Sequence, residues 1–344
     1  MKLMMKKKEL LKEKIEHIDI KSFDATSIIN GMKKMSFTSR DTARAAEILH
    51  LMVKDPGSTN MLTLAGSTSA GGCMQVYIDM IRHGMVDVVV ATGASIVDMD
   101  FFEALGFHHY RGSVQVDDRK LRELYIDRIY DTYIDEEDLQ KCDRTIQEIA
   151  DGMEPGVYSS REFIRQMGGY LAGREKIRDS LVLAAYEMDV PVFCPAFSDS
   201  SAGFGLVKHQ WDRPDNHVSI DSVKDFRELT MIKMKAPVSG LFMVGGGVPK
   251  NFAQDTVVCA EILGEEVPMH QYAVQITVAD VRDGACSSST LKEASSWGKV
   301  DTVYEQMVYA EATSVLPLIV SYVFHRVDWK GRKPRKWNTL FDLR

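Results

Sequence analysis

A lysine amine attacks carbon only when it is neutral, and an apolar aromatic neighbour disfavours its ammonium form. Lys299 follows Trp297 and Gly298 in the string Ala294-Ser295-Ser296-Trp297-Gly298-Lys299, and Glu293 stands six residues before it. That combination suits Schiff-base chemistry, with the carboxylate holding a cationic amine or moving a proton. The same string also fits a surface lysine beside a core tryptophan. Asp199 and Asp283 each lie among small residues, where an acid bonds a ribose hydroxyl or a substrate amine, or caps a helix. His108 and His109 fit general bases or a satisfied loop pair. No His or Cys spacing suggests a metal site.

These residues need elements to position them. Short β-branched or apolar runs read as strands at Met61 to Leu64, Val86 to Ala91, Val190 to Phe193, Leu241 to Val244 and Tyr272 to Thr277. Each run stops at small or acidic residues: Gly66 to Gly72, Thr92 to Ser95, Pro195 to Ser201, Gly245-Gly246-Gly247, and Asp283-Gly284. Helical patterns follow the first run as far as His83 and cover Arg174 to Met188. Strand ends of this kind are where an open parallel sheet binds ligands, and glycine there lets backbone N–H groups approach a phosphate. Neither glycine loop matches a G-x-G-x-x-G or P-loop string. The polar, acidic stretch from Gln115 to about Gln166 reads as a peripheral helical insertion.

A chain of 344 residues, 45% hydrophobic and 26% charged, can bury a full core without staples. A net charge of -7 argues against nucleic acid as a partner. Five cysteines at scattered spacing fit reduced thiols in a cytoplasmic protein, and no apolar run reaches membrane-spanning length. Lysines crowd residues 1–16, which read as a short amphipathic helix, and basic residues crowd 327–344. The expectation is one domain over 1–344 with a helical N-terminal extension and a basic C-terminal tail, both solvated or docked on a partner.

Taken in order, these segments resemble deoxyhypusine synthase. The resemblance is carried by Met85 to Val90 with Thr92, by Pro191-Val192-Phe193 with Asp199, and by Gly245 to Val248. It continues through Tyr272-Ala273-Val274, Asp283-Gly284, Ser296-Trp297-Gly298-Lys299 and Val308-Tyr309-Ala310. It implies an α/β fold, a Rossmann-like doubly wound parallel sheet with peripheral helices, assembled as a homotetramer that binds NAD near subunit interfaces. It also implies a reaction in which the aminobutyl group of a polyamine such as spermidine passes through a lysine Schiff base to an acceptor amine. That acceptor is a lysine of translation initiation factor 5A, or putrescine in the related homospermidine synthases. Lys299 falls on the Schiff-base lysine, and Trp297 and Glu293 on residues that line the polyamine pocket. Ser67, Thr92, Asp199 and the triple glycine Gly245, Gly246 and Gly247 fall on cofactor contacts. So do Ala279, Asp283, Ala310 and Glu311, the last one methylene longer than the family aspartate. Asp255 and Gly284 fall on the substrate side. The N-terminal helix resembles a family segment that caps a neighbouring subunit's site.

The departures concern amine recognition. Phe204 and Cys286 stand where the family has polyamine-binding aspartates, Asn251 replaces a histidine, and Asp255 replaces an asparagine. A cation in a dry pocket needs a carboxylate, so the pocket is weakened or re-aimed unless Asp255, Glu293 or Asp280 substitutes. Three functions remain open on the sequence: transfer to a protein lysine or small diamine, plain amine oxidation, and a non-catalytic NAD-binding subunit.

Overall fold

The computed structural model describes residues 2–175, 177–282 and 289–341. Its centre is a six-stranded, wholly parallel sheet: β1 (Ser58–Leu64), β2 (Val88–Ala91), β3 (Val192–Phe193), β4 (Val238–Val244), β5 (His270–Thr277) and β6 (Val300–Tyr309). The spatial order is β6-β5-β4-β1-β2-β3. The chain builds outward from β1 to β3, then returns to lay β4 against the other side of β1. This is the doubly wound order, and its switch point lies between β1 and β4.

Both faces of the sheet are covered, which is why its strands read as continuous apolar runs. Leu62, Val89, Phe242, Val274 and Val308 face one side, under helices Phe37–Lys54, Met74–Arg82 and Ala312–Phe324. Met61, Val90, Met243, Ala273 and Met307 face the other, under helices Ser222–Lys235, Gly247–Gln254 and Leu291–Ser296. Among the described residues no helix is long and apolar enough to cross a membrane.

Four sequence expectations are revised. The edge strand β6 was missed because residues 302–304 are exposed and break the apolar run. The stretch after Gln115 is not purely helical: strands Ile126–Ile129 and Thr132–Asp135 join His109–Arg111 in a small antiparallel sheet before helix Glu136–Asp151. The helix expected from Arg174 begins only at Leu181, where the Ser180 hydroxyl accepts from Leu183 N at 3.0 Å and the buried Asp100 carboxylate accepts from Leu181 N at 2.6 Å. The N-terminal helix covers Lys2–Leu10 and stops well short of Glu16. Beyond it residues 13–18 form a strap, with Ile15 N donating to His109 O (2.9 Å) and Ile18 N to Gly72 O (2.9 Å).

The basic C-terminal segment is not simply solvated. Arg332 inserts its guanidinium against the fully buried Asp87 and donates to Ser58 O at 2.9 Å, and Arg335 N donates to Asp87 Oδ1 at 2.7 Å. Asp87 also accepts from Asn60 N at 2.7 Å, so the carboxylate that joins the starts of β1 and β2 is fully ligated.

Candidate active site

The loops after β1 and β4 meet at the switch point. Ala65 N donates to Val244 O (3.0 Å), Gly245 N to Ile276 O (2.9 Å), and the Gln275 side-chain amide to Gly245 O (3.0 Å). Gly245 has φ 74, and a methyl group added there would lie 2.9 Å from Ala65 O. Only glycine fits that close approach. Gly66 has φ 87 and open space above it.

The β2 and β3 loops join the same cluster. Thr92 Oγ1 lies 2.9 Å from Ser95 Oγ, which donates to Gly66 O at 3.2 Å. A methyl at Gly93 would lie 2.5 Å from Ser200 Oγ and 3.4 Å from Asp199 O. Sequence spacing alone could not establish this convergence. After β5, Ala279 N is tied to Thr277 Oγ1 at 3.1 Å. After β6, Ala310 leads to Glu311, whose carboxylate caps helix Ala312–Phe324 by accepting from Thr313 N (3.0 Å) and Thr313 Oγ1 (2.5 Å). Ser67, Thr68, Gly71, Glu311 and Thr313 line a cleft of about 1180 Å³ that residues 12–16 border on another side.

Lys299 stands elsewhere on the sheet. Its backbone lies at the start of β6, where its carbonyl accepts from His270 N at 2.9 Å. Helix Leu291–Ser296 ends in a Schellman turn: Gly298 N donates to Ser295 O (3.0 Å), Lys299 N to Ala294 O (3.1 Å), and Gly298 has φ 71. The Ser-Trp-Gly-Lys string is therefore a helix stop that launches the lysine. Lys299 Nζ pairs with Asp255 Oδ1 at 2.5 Å and lies 5.2 Å from the centre of the Trp297 ring. Asp255 ends helix Gly247–Gln254, one turn after Asn251, whose carbonyl accepts its N–H at 2.8 Å. The accessible residues Val248, Asn251 and Asp255 thus mark a stripe from the triple glycine to the lysine.

Trp297 is 69% exposed, not a core residue, and presents its π face to the lysine amine. The carboxylate brought to it is Asp255, while Glu293 completes a capping box with Thr290, accepting from Thr290 N at 2.6 Å. Those bonds from Thr290 hold the Glu293 carboxyl below its ordinary pKa. Glu293 also faces Tyr309, whose hydroxyl is pushed up first by burial and then by Glu293.

Other expected residues lie apart. Phe204 is on helix Ser201–Asp212 beyond β3, at the opposite sheet edge from Lys299, and lines a separate cavity of about 720 Å³ with Leu121, Ile126 and Asp143. His109 is fully buried with Nδ1 2.7 Å from Glu103, which also meets His17 at 2.8 Å. His108 lies against Arg178, and burial followed by that guanidinium pushes its pKa down to about 4. Asp280 pairs with Arg282. Asp283, Gly284 and Cys286 lie outside the described residues. Among the described residues no group of three His, Cys, Asp or Glu could hold a metal ion.

Sequence reasoning passed over Gln275, and took Lys250 only as part of the phosphate-loop string Val248-Pro249-Lys250 after the triple glycine. Lys250 is fully buried on the helix after the triple glycine, and its amine reaches Ser289 O, beside Thr290. The available signal for Gln275 was its place inside an apolar strand.

Comparison with known proteins bears on the family and the fold. The family profile described as deoxyhypusine synthase matches residues 27–323. A deoxyhypusine synthase-like protein of Coxiella burnetii is 68% identical over 336 residues, covering 97% of this chain and 96% of that protein. Another from Caulobacter vibrioides is 66% identical over 339 residues, covering 97% and 92%. In structure, a deoxyhypusine synthase candidate from Entamoeba histolytica superposes with TM-score 0.59 at 19% identity, covering 92% of this chain and 99% of that one, which speaks for the fold. With a doubly wound sheet, a glycine-lined switch point, a lysine launched from a Ser-Trp-Gly-Lys turn, and relatives matched over nearly its whole length, this chain belongs to the deoxyhypusine synthase family, a family of transferases.

Proposed function

We propose that this protein is an NAD-dependent aminoalkyl transferase in which Lys299 carries the aminobutyl group of a polyamine such as spermidine to an acceptor amine. The observation that carries the reading is the Lys299–Asp255 pair at 2.5 Å under the Trp297 ring. The switch-point crevice fits a dinucleotide: Gly245 makes a backbone approach that no side chain permits, and Gly66 opens onto free space. Gly245 to Gly247, Ser67, Thr92 and Asp199 would hold the cofactor, which supplies a hydride acceptor and later returns the hydride.

Lys299 must be neutral to attack, so the proton on Nζ passes to Asp255, the group already bonded to it. With Asn251 where the family has a histidine, Asp255 is the titratable side chain on this helix face. The neutral amine adds to the imine carbon of the oxidised polyamine, and the C–N bond to diaminopropane breaks as that amine leaves with a proton. An acceptor amine then adds to the same carbon, and the C–N bond to Lys299 breaks and frees the lysine. Transfer is redox-neutral overall. Trp297 supplies a face for the cationic chain, and Glu293 fixes the helix that launches the lysine.

Phe204 and Lys299 lie at opposite edges of one sheet, so a pocket lined by both draws on a second copy, in keeping with a homotetramer. The changed carboxylates favour a small diamine such as putrescine as acceptor over a lysine of initiation factor 5A. The test is trapping. Protein is incubated with NAD and labelled spermidine or putrescine, then borohydride is added and the peptides are mapped. Label on Lys299 is expected. Absence of label with both amines overturns transfer, and net NADH accumulation points to plain oxidation.

A further inference from the structure

Gln275 is a polar residue where the fold asks for an apolar one. It is fully buried on β5, and its register partners on β4 and β6 are Met243 and Met307. Its side-chain oxygen has no hydrogen-bond partner among the described residues. A buried amide oxygen without a partner is destabilising, so sheet packing does not explain the residue. Its one bond does: Nε2 donates to Gly245 O at 3.0 Å.

That bond fixes a direction. In a trans peptide the carbonyl of one residue and the N–H of the next point opposite ways. Gln275 draws the Gly245 carbonyl inward to the buried face, so the Gly246 N–H points outward into the crevice. Gly245 N is bonded to Ile276 O at 2.9 Å, so the residue is held by hydrogen bonds at both its N–H and its carbonyl. Among the described residues nothing accepts from Gly246 N. Gly246 caps the helix Gly247–Gln254, so this N–H also lies at the positive end of the helix.

We propose that Gln275 is a positioning residue that aims the Gly246 N–H at a phosphate of the bound dinucleotide. This rests on the cofactor reading above, and the two fail differently. The core supplies a matched control in Gln254. It too is fully buried on this face with an unpartnered side-chain oxygen, but its amide meets only Met243 Sδ, at 3.8 Å.

The experiment is calorimetric titration of NAD and of ADP-ribose into the full-length protein and into Gln275→Met and Gln254→Met, with thermal melts of each. Gln275→Met should bind both ligands about 5-fold more weakly, the ratio for losing one hydrogen bond of about 1 kcal/mol. Its KM for NAD should rise by the same factor with kcat retained. Gln254→Met should bind within about twofold of the parent. Gln275→Asn, whose amide is one methylene too short to reach, replaces the methionine variant if that one does not fold. A parent that binds no NAD overturns the cofactor reading. A parent that binds NAD beside a Gln275 variant that binds equally well overturns this proposal alone, as does an equal loss in Gln254→Met.

Discussion

Gly245 and Gly298 have nearly the same positive φ, 74 and 71, in opposite surroundings. Gly245 is clamped between Ala65, Ile276 and Gln275, whereas nothing lies within 4 Å of where a methyl on Gly298 would stand. The first belongs to a crevice made of backbone, whose shape depends on five loops touching. The second belongs to a local turn whose task is to present one side chain. Any added atom should damage the crevice, while the lysine end should tolerate atoms and not a change of chemistry.

The largest effect that could break this contrast is at the lysine. Lys299→Arg keeps a cation beside Asp255 but supplies no neutral amine. Aminobutyl transfer should fall by at least about 10³-fold, with NAD affinity unchanged by calorimetry. A variant that retained transfer would remove the lysine from the chemistry.

Next comes the strap beside the crevice. Glu103 is buried between His17 and His109, and although burial opposes ionisation, those two partners hold its pKa down at about 2. A lowered carboxyl pKa means stability present above the ordinary value near 4.5 and lost as pH falls from there toward 2. The contribution is on the order of 3 kcal/mol. Urea unfolding of the parent and of Glu103→Gln should differ by that order at pH 7, and the gap should shrink below pH 4.5 and close only near pH 2. A constant gap would show that the carboxylate acts through packing alone.

Asp255→Asn tests the proton's place. It should lower kcat by about 10²-fold and move the pH–rate profile, while Trp297 still holds the amine. A fall in rate without a change in that profile would reduce Asp255 to an ion-pair partner. The smallest effects test the glycines themselves: Gly245→Ala should cost about 2 kcal/mol and Gly298→Ala about 1 kcal/mol in denaturant melts, the excess coming from Ala65 O. Equal costs would mean that both positions respond to φ alone.

Much of the crevice was legible, because small residues after β-branched runs are dictated by backbone approach and have few other uses. β6 was not, since an edge strand with exposed Val303 and Tyr304 loses the apolar continuity that marks central strands. The string around Lys299 stood out in the sequence, and Asp255 was named there as one of three carboxylates for the pocket, but the pairing of the two was not legible. Asp255 lies far back in the sequence, and only the descent of helix Gly247–Gln254 along the sheet brings it to Lys299. Glu293 carried a second signal: Thr290-Leu291-Lys292-Glu293 is a capping-box string, so the carboxylate had a local structural task before any catalytic one. Trp297 had no local signal for exposure, because what covers a tryptophan is decided by distant chain.

The clasp of Arg332 and Arg335 on Asp87 has a consequence for synthesis. Asp87 is made early and is fully buried in the finished sheet, but its cationic partner leaves the ribosome some 245 residues later. Until then, closing β1 against β2 would strand an unpaired charge, which costs several kcal/mol. The nascent sheet therefore stays open at that end, and native packing is postponed until the last segment arrives. A chain stopped at Gly331 should consequently remain protease-sensitive across Ser58 to Ala91, and resistance there would show that the sheet closes unaided.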